Sequence, residues 1–471
     1  MTALSTIVTV VTVVLVVYYL IYNLVYILLV VRAGAAITDE VAWPAELTQA
    51  LTFANPLAPG VSVIVPAHNE EAVILESVTA LLKLRYPRTE VVVIDDGSRD
   101  RTAAVLAEAF DLVPERLPVS EGIEQEGATI ETLRSRTNPG LVLVRKEGVG
   151  RRSDAVNAGL RVASNELVCM IDADSILDPD ALLHVVQPFI DDDRVVAAGG
   201  VVLPSNGALV RDGRIVATRV PRNLVVRTQV LEYLRAFLVG RSGWSSLNGL
   251  LIISGAFGIF RRQVVVELGG LDATSLAEDA DLVVGLHRMM RDRGEPFRVV
   301  FSPEPVCWTE VPGTVKVLRR QRERWSQGLG ELLWKYRQMI GRPRYGVLGV
   351  ITMPYFVLFE LIGPFVELLG IAVVALGLMT GTLPWSLLWM YVGASVLLAT
   401  LGSLAAMLVE EVSFARYPRT RDVAALLWAA IAEPFWFHFV HSWWRAVGVL
   451  RALRRKESEW GEMTRTGFTQ A

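Results

Sequence analysis

Three acidic clusters and one basic-aromatic helix face hold the residues that could do chemistry. Asp172-Ala-Asp174 follows the apolar run 168–171. On an extended chain residues i and i+2 point to one side, so both carboxylates can face the same cation. Mg2+ or Mn2+ can be held this way, with one or two carboxylates and with diphosphate oxygens in other positions. A calcium loop is excluded, because counting from Asp172 puts Leu177 where glycine is required and Leu183 where glutamate is required. A plain acidic turn is the structural alternative.

Asp95-Asp96 opens the segment Asp-Asp-Gly-Ser-Arg-Asp, directly after 91–94. A carboxylate there could accept the N3–H of uracil and a ribose hydroxyl. An Asp-Gly turn followed by an aspartate N-cap accounts for Asp100 but less well for Asp95, which ends the apolar run. Pro66-Ala-His68-Asn-Glu70 stands after 61–65, where a dinucleotide fold would carry Gly-x-Gly-x-x-Gly; taken alone it reads as a Pro/Asn turn leading into a helix. Ser275 lies three residues before Glu278 and matches a capping box, which gives Glu278 a structural reason. Asp279 has less of one and could take a proton from an acceptor hydroxyl. Gln321, Arg324 and Trp325 share a helical face by their spacing. Arg324 could clamp diphosphate oxygens with its planar fork, and Trp325 offers a flat plate to a sugar or base. The neighbouring Arg319, Arg320 and Arg322 suit a helix lying on anionic lipid as well.

Strand-like runs at 61–65, 91–94, 141–144 and 167–171, with helical spacing over 71–84, predict an α/β layer with a mostly parallel sheet. Ligands in such sheets bind at the carboxyl ends of the strands, where the acidic motifs stand. Residues 114–140 read as an irregular insertion, and Arg211-Asp-Gly-Arg214 as a hairpin turn. Residues 314–340 predict a long amphipathic helix.

The chain has 471 residues, 52% of them hydrophobic, with a mean hydropathy of +0.40. That is apolar for a soluble domain. The formal net charge of −3 gives no case for a nucleic-acid partner. Cys169 and Cys307 have no metal-like spacing and read as buried thiols. Residues 7–31 carry no charge and are long enough to cross a bilayer, and Arg32 places the next segment in the cytoplasm. The expected organisation is an N-terminal transmembrane helix (1–34), a linker (35–57), a cytoplasmic α/β domain (58–330) and amphipathic or interfacial helices (331–361). Two transmembrane helices (362–410), a cytoplasmic loop with bent interfacial or re-entrant helices (411–456) and a cytoplasmic tail (457–471) complete it. The bend is expected because Glu433-Pro434 interrupts 424–450; a further full span is the alternative.

In this order, Pro-x-His-Asn-Glu, Asp-Asp-Gly-Ser, Asp-Ala-Asp, Glu-Asp and Gln-x-x-Arg-Trp resemble the processive family-two glycosyltransferases, which include cellulose, hyaluronan, chitin and poly-N-acetylglucosamine synthases. The resemblance covers 61–329, and Gln-x-x-Arg-Trp is its most specific part. It implies a GT-A domain that binds a UDP-sugar with Mg2+ or Mn2+ and serves a carbohydrate acceptor at a lipid bilayer. Carried over, Pro66, His68, Glu70, Asp95 and Asp96 would hold uridine, and Asp172 and Asp174 the metal and diphosphate. Asp279 would be the base of an inverting transfer from an α-linked donor to a β-linked polysaccharide. Arg324 and Gln321 would serve the departing UDP; Glu278, Trp325 and the Ser254-Gly255 segment would face the acceptor. Arg152 stands where the family has lysine, which keeps the charge and changes the hydrogen-bond geometry. Three spans are fewer than cellulose and hyaluronan synthases use. Polymer export would then call for a homo-oligomer, an export partner or the 424–450 segment; transfer of one sugar to a lipid or short acceptor is the alternative.

Overall fold

A computed structural model describes residues 3–41, 52–53, 55–211, 213–454 and 469–470. Its centre is four parallel strands in the order β5 (Leu141–Lys146), β2 (Thr89–Asp96), β1 (Val61–Ala67) and β6 (Leu167–Met170). Each is a near-continuous apolar run because helices or loops cover both faces, which is the pattern of a buried parallel sheet. The register sets Ala67 beside Asp95, and Asp96 beside Lys146. The carboxyl ends of β1 and β2, the latter Asp95-Asp96, therefore fall on one edge of the sheet, with Asp172 just beyond β6.

The flanks are mixed. Beyond β5 lie β4 (Thr129–Ser135) and β3 (Leu112–Pro114), both antiparallel. The expected insertion at 114–140 thus contains a sheet strand. Its sequence, Thr-Ile-Glu-Thr-Leu-Arg-Ser, has a diluted apolar signal because the strand is largely half-buried or exposed. Beyond β6 come β11 (Gly258–Arg261), β8 (Val195–Pro204), β12 (Arg298–Thr309) and β7 (Ser175–Leu177). The pairs β6–β11, β11–β8 and β12–β7 are antiparallel, and β8–β12 is parallel. The predicted hairpin forms between β9 (Leu209–Arg211) and β10 (Arg214–Ala217).

The Arg152–Val162 helix lies on β1 and β2 through Gly159, where a Cβ would stand 2.5 Å from Ile64 Cγ2 and 2.8 Å from Ile94 Cδ1. Only a glycine lets the helix approach so closely, and this approach brings Arg152 to the strand ends. The Glu278–Arg293 helix and the Val315–Lys335 helix carry the remaining candidate residues.

Three described helices are long and apolar enough to cross a membrane: Ala3–Thr38, Trp385–Ser413 and Thr420–Leu453. A fourth candidate is the pair Leu348–Leu361 and Gly363–Met379, which bends by 41° at the break. The first helix continues to Val41, into the stretch expected as linker; residues 42–51 and 54 lie outside the described residues. The expected bent or re-entrant pair at 424–450 is one continuous helix of 34 residues, Thr420–Leu453. Pro434 removes one backbone donor, but a packed environment lets a helix run through such a gap. Here Glu433 receives two hydrogen bonds of 2.6 Å from Arg235. A similar pair joins Arg445 to Glu360 at 2.7 Å. Of the expected tail, only Thr469–Gln470 is described, paired with β9.

Candidate active site

At the ends of β1 and β2, Asp95 and Asp96 are almost fully buried. Asp95 Oδ1 accepts from the Ser98 backbone N–H at 3.1 Å, and Asp95 Oδ2 lies 3.8 Å from Arg145 Nε. The loop after β1 is stitched to the loop after β2. His68 Nδ1 is 2.8 Å from the Asp96 carbonyl, Asn69 Oδ1 accepts from Arg99 N–H at 2.9 Å, and Glu70 N–H donates to Thr102 Oγ1 at 2.9 Å. Pro66 lies within β1 beside Ile94. Pro66, His68, Glu70, Asp95 and Asp96 therefore border one rigid edge.

The second group is built around Arg152. Its Nε donates to Asp172 Oδ1 at 2.7 Å and its Nη2 to the Gly255 carbonyl at 2.6 Å, while Nη1 lies 3.6 Å from Glu278 Oε1. Gly255 also donates its N–H to Asp279 Oδ2 at 3.2 Å. One arginine and one glycine thus bind together carboxylates from two sequence segments 106 residues apart. Burial pulls Arg152 down, but Asp172, Glu278 and Asp279 outweigh it and its pKa is raised. Burial pushes the Glu278 carboxyl up to about 7, with Arg152 pulling it back and Asp279 adding to the rise. The anticipated capping box is not made: Ser275 Oγ accepts from Ala277 N–H at 3.3 Å, one residue too early to cap the helix. Glu278 is thereby left to face Arg152.

The third group comes from the Val315–Lys335 helix. Burial lowers Arg324, while Glu278, Asp279 and Asp172 act in the opposite direction, so its guanidinium lies in the field of those three carboxylates. Trp325 is 44% exposed, and Arg322 stacks over its ring at 4.1 Å from the centroid. Arg322 is in turn held by Glu232 at 2.6 Å, so it is a buried support more than a lipid-facing charge. Gln321 Oε1 is buried without a partner among the described residues.

Asp174 is nearly buried, with Oδ1 at 3.5 Å from both Ser175 Oγ and Thr309 Oγ1; Asp172 keeps about a third of its side chain exposed. Among the described residues no three His, Cys, Asp or Glu side chains gather as a closed metal site would need. Two oxygen donors in one turn fit a hard cation that draws its remaining ligands from diphosphate and water.

Two cations escaped the sequence reading. Lys146 is fully enclosed between Asp96 and Asp154. Arg241 stacks on Phe237 at 3.5 Å, its Nη1 has no partner among the described residues, and burial pushes it down to about 10 against the pull of Asp279 and Tyr233. The lysine had a weak signal: a charge closing a strand that is otherwise apolar. The arginine had none. Both cysteines are buried and free, as their apolar settings predict.

The family model described as glycosyltransferase like family 2 matches residues 59–328, more than half of the chain, and the protein belongs to that family. A probable glycosyltransferase, YdaM, of Bacillus subtilis (strain 168) is 27% identical over 284 residues, which cover 59% of this chain and 57% of that one. The poly-beta-1,6-N-acetyl-D-glucosamine synthase of Staphylococcus epidermidis is 26% identical over 276 residues, covering 58% and 55%. The chain thus spans a little over half the length of these curated relatives. Among solved structures, the mannosyltransferase PcManGT from Pyrobaculum calidifontis, in complex with GDP-Man and Mn2+, superposes with a TM-score of 0.57 at 20% identity, over 96% of this chain and all of that one. The fold is GT-A-like.

Proposed function

We propose that this protein is a membrane hexosyltransferase that moves a sugar from a UDP-sugar to a growing β-linked polysaccharide at the cytoplasmic membrane face, with inversion. The observation that carries the proposal is the junction of Asp172, Glu278 and Asp279 on Arg152 and Gly255, with Arg324 in the same field. Such a junction offers a base and fixed cations within one cluster, which is what glycosyl transfer from a diphosphate requires.

In this reading Asp95, Asp96 and the 66–70 loop hold the nucleoside. Mg2+ or Mn2+, held by Asp172 and Asp174, would neutralise the diphosphate as it leaves. Arg152 and Arg324 hold diphosphate oxygens, and Gln321 offers its amide beside them. Asp279, oriented by the Gly255 and Ala280 N–H groups, takes the proton of the acceptor hydroxyl. The hydroxyl oxygen bonds to the anomeric carbon as the bond from that carbon to the diphosphate oxygen breaks, so an α-linked donor gives a β-linked product. Trp325, which is exposed, and the Ser254-Gly255 segment face the acceptor.

The polymer product is supported by the likeness to poly-beta-1,6-N-acetyl-D-glucosamine synthase, and the use of a divalent cation and a nucleotide sugar by the GDP-Man and Mn2+ bound to the superposing mannosyltransferase. The small number of candidate spans favours a second reading, transfer of one sugar to a lipid or short acceptor. Nucleotide release by purified protein across UDP- and GDP-sugars, with Mg2+, Mn2+ or chelator, identifies the donor and the metal. Product sizing then separates a polymer from a single adduct. Asp279→Asn should lower transfer by about 10^2 to 10^4-fold while nucleotide binding holds, as loss of a general base demands. Full activity in that variant ends the base assignment.

A further inference from the structure

Lys146 closes β5, and the strand register sets it beside Asp96. Its side chain has no exposed surface. Its ammonium is shared by three acceptors: the Asp96 carboxylate, Asp154 Oδ2 at 2.8 Å and the Glu147 carbonyl at 2.6 Å. These use all three donors of an ammonium. The partners are fixed on their far sides as well. Asp154 accepts the backbone N–H groups of Glu126 at 2.6 Å and Gly127 at 3.3 Å, and the Asp96 carbonyl meets His68 Nδ1 at 2.8 Å. A Cβ on Gly127 would stand 2.7 Å from Lys146 Nζ and 2.2 Å from the Glu147 carbonyl, so the insertion is pressed directly onto the ammonium.

A buried ion triad is weak evidence for stability, because desolvation consumes most of the attraction. What it does supply is orientation. We propose that Lys146 is a positioning residue for the donor, which locks the Asp96 carboxylate at the nucleoside end and, through Asp154, the first turn of the Arg152–Val162 helix at the diphosphate end. Asp154 lies two residues from Arg152 in that turn. The ammonium thus ties the two ends of the donor cleft to one point, and the 126–127 loop is its outer wall. The inference rests on the reading of Asp96 and Arg152 as donor contacts.

The test uses the full-length protein in detergent. Lys146→Met alone strands two facing carboxylates and is prone to unfold. Lys146→Met combined with Asp154→Asn keeps the trio's net charge at minus one and retains an acceptor for the 126–127 amides. Calorimetry with UDP and with GDP reads binding without turnover; steady-state rates with the active donor read the rest. The folded double variant should bind nucleotide at least about tenfold more weakly and show a donor KM raised to match, with kcat at saturation within about threefold, the signature of lost donor positioning rather than lost chemistry. Unchanged nucleotide affinity and KM in a double variant that melts as the wild type does overturns the proposal. So does a fall in kcat alone. Wild-type protein that binds neither UDP nor GDP removes the donor-site reading itself, and this inference with it.

Discussion

Glu278 shows how one side chain can be legible in type and misread in use. Its spacing from Ser275 fits a cap, yet the serine bonds to Ala277 and the glutamate turns to Arg152. Burial then holds its carboxyl near 7, against the pull of Arg152. Below that pH it is mostly neutral and leaves the Arg152 field uncancelled; above it, the carboxylate cancels part of that field. Donor KM should therefore rise by about three- to tenfold between about pH 6 and pH 8, and Glu278→Gln should hold KM near its low-pH value. A wild-type KM that is flat across the range would remove Glu278 from the electrostatics of donor binding. Asp95, Asp96, Asp172 and Asp174 stand out in the sequence because carboxylates beyond apolar runs have few structural excuses, and Asp279 because no cap accounts for it. Lys146 was harder to single out, because a lysine is by default an exposed residue and its local sign, a charge closing an apolar strand, does not say that Asp96 and Asp154 meet on it.

At the scale of elements, the helix that carries Gln321, Arg324 and Trp325 is seated by the long apolar helix Thr420–Leu453. A Cβ on Gly448 would stand 2.3 Å from the Glu323 carbonyl and 2.9 Å from Ser326 Cβ. Glycine at such a crossing lets two helix backbones touch, as small residues do between membrane helices. Arg451 adds a 2.8 Å ion pair to Glu323. Gly448→Val must push the helices apart; overpacking of this kind costs about 1–3 kcal/mol. Transfer should fall about tenfold or more, because Arg324 moves with its helix; calorimetric UDP binding should weaken as the proposed Arg324 contact to the diphosphate is lost, but by less than transfer. Equal loss of both would mean general unfolding. The amphipathic character of 315–335 was plain from sequence, but its seat on 420–453 was not. Pro434 suggested a break, and only the surrounding helices make the continuous course affordable.

For the whole molecule, Arg32 after the first apolar helix and the arginines at 416, 419 and 421 between the last two predict a cytoplasmic catalytic domain by the positive-inside rule. The turn between Met379 and Trp385 would then lie on the opposite side. Cys169 and Cys307 are both buried, so the native background to a membrane-impermeant thiol reagent is low. Thr380→Cys should be labelled in intact cells, and Glu108→Cys only after the membrane is opened; both positions are exposed. The reverse pattern would place the catalytic domain outside.

The sequence by itself determined the strand cores, the acidic motifs and their order, and the presence of long apolar helices, because each is written in neighbouring residues whose periodicity and polarity act locally. Tertiary structure alone decided that Asp172, Glu278 and Asp279 meet on Arg152 and Gly255, that Lys146 bridges Asp96 to Asp154, and that Thr420–Leu453 runs unbroken. These depend on strand register, on a glycine that lets a helix approach the sheet, and on ion pairs between segments far apart along the chain, none of which a local pattern encodes.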